Sequence, residues 1–206
     1  TYLWRVYAAR EIMRLHREQP ERLRRLARLQ TAKASAEEVL HPRSETQVFQ
    51  EPDELEQAYL DGDLRPFSGI SGMRLDPQAG ELARRLDADR DLYRGLRPEA
   101  YELAVYLAAG VRQLAGTRAS LTVTSTVRDQ RYQDLLVRDN PFATREYSLH
   151  TTGYAFDVRR NYSGRAQAAA FQYLLDRLQS LNLIAWVREP GAIHITASSE
   201  AAELVQ

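Results

Sequence analysis

The sequence predicts an α+β fold, and three features carry that expectation. Apolar residues recur at helical spacing through most of the first two-thirds. At Ser120 the period changes to the alternation of a strand, in "SLTVTSTV". From there the pattern runs strand, helix, strand, helix, hairpin. With 206 residues, 44% of them hydrophobic and 27% charged, the chain is long and apolar enough to bury a real core. The expected organisation is a helical N-terminal extension with a loop over 1–75, followed by an α+β domain with a small antiparallel sheet over 76–206.

Leu3, Val6, Tyr7, Ile12, Met13 and Leu15 fall at helical spacing, and Leu23, Leu26 and Leu29 do so again after Pro20, which suits the first turn of a second helix. Core or partner packing is the expected use of this arginine-rich pair, ahead of contact with a membrane surface. Residues 31–50 show no clear period, and "HPRSETQVF" around His41 reads as a connection. A short acidic helix is expected over 53–61, then a loop in "GDLRPFSGISGM". "DPQAGELARRLDADRDLYRGL" reads as a helix with Asp76 as N-cap, Pro77 at its first position and Gly95 at its end. A further helix carries Leu103, Tyr106, Leu107 and Val111 on one side and stops at Gly116.

The first expected strand sets Leu121, Val123 and Ser125 against Thr122, Thr124 and Thr126. "DQRYQDLLV" is helical again, "RDNPFATREYSLH" is loop, and "YAFDVR" alternates as a strand. "GRAQAAAFQYLLDRLQSLN" is a helix whose face is Ala170, Phe171, Leu174, Leu175 and Leu178. "LIAWVREPGAIHITA" closes the series as a hairpin turning at Pro190-Gly191.

Charge and composition remove several functions. Formal net charge is zero and Lys33 is the only lysine, so no bulk electrostatic case for nucleic acid arises. Residues 1–30 hold eight Arg against three Glu, and residues 31–63 hold nine acids against Lys33 and Arg43, an asymmetry read as solvated helix faces. Without cysteine there are no disulfides and no thiolate metal sites. No run of about 18 apolar residues is present. The chain begins at Thr1, so an upstream signal or anchor is expected to have been removed.

The chemistry concentrates in "YSLHTTGYAFDVRR", Tyr147 to Arg160. Two readings of it compete, a metal site and an ordinary loop feeding a strand. A hydrolytic zinc site takes three protein ligands and leaves one position for water. Here only His and acids can serve. His150 ends a loop, Asp157 lies inside the next strand, and Gly153 supplies the turn between them. His194, in the last strand, is the natural third ligand. If Pro190-Gly191 is a two-residue turn, Glu189 pairs with Ala192 and shares a face with His194, roughly 7 Å apart diagonally. Glu189 is then a reasonable general base, or else a surface acid at the hairpin end. His16 and His41 lie outside the pattern and read as structural or solvated.

"TSTVRDQRYQ" followed by "SLHTTGYAFDV" and a late hairpin with Glu and His resembles the zinc D-Ala-D-Ala peptidases of the M15 type, within the LAS (Hedgehog/DD-peptidase-like) group of peptidoglycan peptidases and amidases. Their pattern is Ser-x-x-Arg, a Gln five residues on, then Ser-x-His-x-x-Gly-x-x-x-Asp, then the hairpin. It falls on Ser125, Arg128 and Gln133, on Ser148, His150, Gly153 and Asp157, and on Glu189 and His194, within residues 118–198. The resemblance implies Zn²⁺ on His150, Asp157 and His194, with Glu189 activating a water. It implies that Arg128 binds a substrate carboxylate or polarises the scissile carbonyl, although Arg128 as a surface ion-pair partner stays open. Gln133, Ser148 and Tyr147 are substrate-side candidates, and Tyr147 and Tyr154 are read either as groove lining or as core. The Glu stands five residues before the last His rather than the commoner three, where Gly191 lies, and Ile193 replaces the usual aromatic before that His.

The function so implied is a zinc peptidase, D,D- or L,D-carboxypeptidase or endopeptidase in type, cutting amide bonds in peptidoglycan stem peptides or cross-links in the cell envelope. The alternative is a non-catalytic zinc-containing module that binds cell wall or a partner protein. Residues 1–30 are the expected place for membrane or envelope-protein contact.

Overall fold

Local pattern decides most of the helices. In the computed structural model, which describes residues 2–24, 36–139, 144 and 147–205, they are α1 (Tyr2–Glu18), α2 (20–24), α3 (Ala36–Leu40), α4 (Pro52–Leu60), α5 (Pro98–Ala115), α6 (Gln130–Asp139) and α7 (Arg165–Ser180). The strands are β1 (Arg65–Pro66), β2 (Gly69–Ile70), β3 (Met73–Leu75), β4 (Gly95–Leu96), β5 (Leu121–Ser125), β6 (Ala155–Arg159), β7 (Ile184–Arg188) and β8 (Ala192–Ala197). β1 and β4 form a small antiparallel pair, and the other six make one mixed sheet in the order β2-β3-β5-β6-β8-β7. The fold is α+β.

Alternation along the central strands divides the sheet into two faces. Phe156 and Val158 of β6, with Ile193 and Ile195 of β8, enter the main core beside Leu103, Leu107 and Val111 of α5 and Phe171, Leu174 and Leu178 of α7. The two helices meet closely where a Cβ on Gly110 would lie 2.8 Å from Leu174 Cδ1. Gly116, in the left-handed region at φ 60°, ends α5 as expected. Asp157 and Arg159 alternate onto the opposite face of β6 and His194 onto that of β8, and this polar face carries the site. A second apolar cluster of Phe49, Leu55, Leu64, Tyr93, Val127 and Tyr132 ties α4 to the start of α6.

Four expectations need correction. "DPQAGELARRLDADRDLYRGL" is not one helix but two 3-10 turns, Glu81–Leu86 and Arg90–Tyr93. Its aspartates bond locally instead: Asp76 accepts from Gln78 N and Asp89 from Asp91 N, both at 2.9 Å, and Asp87 turns left-handed at φ 53°. Gly95 begins β4, where a Cβ would collide with the Tyr59 hydroxyl at 1.9 Å. "GDLRPFSGISGM" contains β1 and β2 and runs into β3 at Met73, and β3 pairs parallel with β5 (Met73↔Leu121), so the sheet is mixed rather than antiparallel. Within 31–50, residues 36–40 form a helical turn ahead of the connection.

Leu15 of α1 is buried, whereas Val6, Tyr7, Ile12 and Met13 remain about half exposed, so core packing is not the role of those four. Leu26 and Leu29 of the expected second helix lie outside the described residues, as do residues 140–143, 145 and 146 of the loop expected at 138–150, whose first two residues, Arg138 and Asp139, instead close α6. Among the described residues no helix is long and apolar enough to cross a membrane.

Candidate metal centre

The β-ladder brings the two strand ligands together. Asp157 of β6 stands opposite His194 of β8, and His194 stands opposite Val187 of β7. On the other side, Ser125 of β5 pairs with Asp157 beside a register shift. The β7–β8 connection has the expected register: Glu189 N donates to Ala192 O at 3.0 Å across Pro190-Gly191. Glu189 therefore shares a face of the hairpin with His194.

His150 arrives on a 3-10 turn, Leu149–Thr152, that packs over this face. The turn is stopped by Gly153 at φ 81°, where a Cβ would lie 2.9 Å from Leu64 Cδ2. Arg128 N donates to His150 O at 3.0 Å, fixing the turn to the end of β5. His150 Nδ1 lies 2.8 Å from the Thr126 carbonyl oxygen. A carbonyl only accepts, so Nδ1 carries the proton and Nε2 presents a lone pair. That Nε2 faces Asp157 Oδ2 at 3.2 Å, while His194 Nδ1 lies 2.8 Å from Asp157 Oδ1.

The electrostatics follow from burial. Desolvation, reinforced by the nearby Arg128 charge, pushes His150 down to about 4, so its ring is neutral at neutral pH. Burial works against ionisation of Asp157, but the two histidines overcome it and hold the carboxyl well below its usual range. When the His150 ring is neutral its Nε2 lone pair faces the Asp157 carboxylate at 3.2 Å, a contact that a shared proton or a cation bridges. One donor atom from each of His150, Asp157 and His194 lies within 4.8 Å of the others, and all three residues are buried. Ligand atoms bound tetrahedrally at about 2.0–2.1 Å stand roughly 3.3 Å apart, near the 3.2 Å and 2.8 Å at which His150 Nε2 and His194 Nδ1 stand from the Asp157 oxygens. The cluster fits a metal ion, and the Thr126 bond is the outer contact that fixes a ligating imidazole.

The remaining sequence candidates divide into neighbours of the cluster and residues set apart. Arg128 Nη1 donates to Gln133 Oε1 at 2.9 Å, its Nη2 donates to Ser125 Oγ at 2.6 Å, and Nη2 is 3.6 Å from Asp157 Oδ2. Burial opposes the Arg128 charge, and Asp157, Tyr132 and Glu189 favour it, which puts Glu189 within electrostatic reach. Gln133 is buried and also donates from Nε2 to Thr144 O at 2.9 Å. Ser148 starts the His150 turn, its carbonyl accepting from Thr151 N at 2.9 Å. Glu189 is exposed and is not one of the three clustered donors.

Tyr147 packs with Leu149 and Ala155 and donates to His41 O at 3.0 Å, which makes it part of a small core cluster. His41 is buried and stacks on Tyr154 at 3.8 Å, and His16 is exposed. Two participants escaped the sequence reading. The Thr126 carbonyl has no side-chain signature. Arg159, paired with Asp76, was in principle findable, because it lies two residues beyond Asp157 on an alternating strand. Asp157, Ser125, Arg128, Arg159 and Tyr132 are among the residues lining a cavity of about 270 Å³ beside the cluster. The sequence matches no protein-family model and no curated protein.

Proposed function

We propose that this chain is a zinc-dependent peptidase that hydrolyses amide bonds in peptidoglycan stem peptides or cross-links, in the cell envelope. One observation carries the reading: one donor atom from each of the buried His150, Asp157 and His194 lies within 4.8 Å of the others, and Thr126 holds His150 Nδ1 so that Nε2 turns to Asp157 at 3.2 Å. The resemblance of the surrounding motifs to zinc D-Ala-D-Ala peptidases supports zinc as that cation and a cell-wall peptide as substrate.

When bound, zinc supplies a Lewis acid and lowers the pKa of a water to near neutrality. Glu189, on the face of the hairpin that carries His194, takes the proton of the attacking water and returns it to the leaving amine. Arg128, its fork held by Gln133 and Ser125, donates to the carbonyl oxygen as negative charge develops there. Ser148 and Gln133 hold the segments that frame the His150 turn.

The exposure of Glu189 and its place outside the cluster of three donors favour a second reading, a zinc-containing module that binds cell wall or a partner without catalysis. The half-exposed apolar residues of α1 suit a docking arm in either case. Digestion of purified peptidoglycan with added zinc decides between them, using wild type beside Glu189→Ala and His150→Ala. Muropeptides released by wild type alone support the peptidase. One zinc per chain with no release selects the binding module, and a freshly purified protein without metal sinks both.

A further inference from the structure

The geometry points to Arg159 as the residue that receives a carboxylate of the substrate in the cavity beside the His150, Asp157 and His194 cluster, an assignment that rests on the peptidase reading above. Arg128 and Arg159 both line that cavity, but they are held differently. Both terminal nitrogens of Arg128 are engaged by Gln133 and Ser125, and its side chain is only 11% exposed. A guanidinium locked in this way suits one fixed atom, the scissile carbonyl oxygen.

Arg159 is 45% exposed, and among the described residues its only side-chain partner is Asp76, which binds through Nη2. Asp76 is a rigid anchor: its side chain is 8% exposed, Oδ1 accepts from Gln78 N at 2.9 Å, and its backbone N donates to Val123 O at 2.7 Å. It positions the guanidinium through a single Nη2 contact and leaves Nη1, Nε and the second Nη2 hydrogen, so that one of the two edges, Nη1/Nη2 or Nε/Nη2, stays open as the fork that a carboxylate matches.

The reach is right. Arg159 follows Asp157 by two residues on the same face of β6, about 7 Å along the strand. A carboxylate one residue beyond a peptide carbonyl is separated from it by about one 3.8 Å chain step, which a long side chain leaning along the strand can cover. Leu82, Val127, Tyr132 and Leu136 line the same cavity and suit a small apolar side chain beside the charge. Of the acids there, Asp76 and Asp157 are engaged by Arg159 and the histidines, and Glu81 is exposed. The substrate class is a peptide bearing a free carboxylate, either its own C-terminus or an acidic residue of the stem.

The test uses the full zinc-loaded chain and two peptide pairs. One pair is acetyl-D-Ala-D-Ala and its C-terminal amide, and the other is a stem tripeptide with its glutamate carboxylate free or amidated. Calorimetry reads each binding constant, or KM where the peptide is turned over. In at least one pair the free acid should bind roughly 10- to 100-fold tighter than the amide. The discriminating pair identifies the carboxylate. Arg159→Gln should bring that acid down to the level of its amide, and Arg159→Lys, which keeps a cation beside Asp76, should retain part of the preference.

Equal binding of acid and amide in both pairs overturns the assignment, as does a preference that survives in Arg159→Gln or the absence of any binding. If Arg159→Gln does not fold, the wild-type comparison and Arg159→Lys decide. A carboxylate preference without hydrolysis leaves Arg159 standing and sinks the peptidase, whereas hydrolysis without the preference does the reverse.

Discussion

Replacing Asp157 by Asn keeps the side chain's shape and removes its charge, and a metal centre and a buried salt-bridge cluster predict different losses. If the histidines were charged partners, removing the carboxylate would strand buried positive charge at a cost of about 3–5 kcal/mol. The geometry argues for much less in the metal-free protein. His150 is neutral and turns a lone pair to Asp157 Oδ2 at 3.2 Å, so an Asn amide donates where a carboxylate could not, gaining about 1 kcal/mol.

Against that gain, the 2.8 Å contact from His194 loses its charge assistance and the 3.6 Å attraction to Arg128 disappears, although Arg128 keeps Gln133 and Ser125. The net expectation in chelator is a loss of about 1–2 kcal/mol, or roughly 2–8 °C in Tm at this chain length. Zinc at 100 times its Kd should then stabilise wild type by about 2.7 kcal/mol, roughly 5–11 °C, and leave Asp157→Asn unmoved. Thermal unfolding of both proteins with excess EDTA and with zinc measures all four states. A loss of about 3–5 kcal/mol in EDTA, or a zinc shift preserved in the variant, refutes the metal-centre argument.

Other outcomes follow from single contacts. Arg128→Lys should keep the metal, because Arg128 is not a ligand, but one ammonium cannot reproduce the fork to Gln133 and Ser125; peptidoglycan hydrolysis should fall roughly 10²- to 10³-fold, checked by zinc content beside muropeptide release. Gly153→Ala forces a Cβ to 2.9 Å from Leu64 Cδ2 at φ 81°, so about 1–3 kcal/mol of stability should be lost with weakened zinc binding, read by urea unfolding and metal titration. Burial holds His41 below its usual value, so the folded state binds its proton less readily than the unfolded chain does. Stability from His41 is therefore full above pH 6.5 and is lost as pH falls from there toward the lowered folded value, with a slope of up to about 1.4 kcal/mol per pH unit. Urea midpoints at pH 7.5 and 5.5 should converge in His41→Gln relative to wild type. Leu107→Ala empties a fully buried position between α5 and the sheet and should cost about 2–5 kcal/mol by the same assay.

Where each part of the fold was legible depended on whether its causes lie close together in the chain. The faces of α5 and α7 could be read because Leu103, Leu107 and Val111, and Phe171, Leu174 and Leu178, are three or four residues apart, and all are buried. The β7–β8 register could be read because Pro190-Gly191 fixes it locally. The segment from Asp76 to Gly95 misled because its apolar spacing suits a helix while its aspartates bond to their own backbone. β3 was invisible because its parallel partner, β5, lies more than forty residues away.

By itself the sequence determined the α+β class, the strands that carry Asp157 and His194, the turn that carries His150, and the pairing of Glu189 with Ala192, since each depends on spacing within a few residues. Only the tertiary structure decided that the three side chains converge within 4.8 Å, that the Thr126 carbonyl orients His150, and that Asp76 reaches across the sheet to Arg159. These are contacts between segments brought together by burying the other face of the same sheet, and no local pattern encodes the depth of burial or the direction of a lone pair.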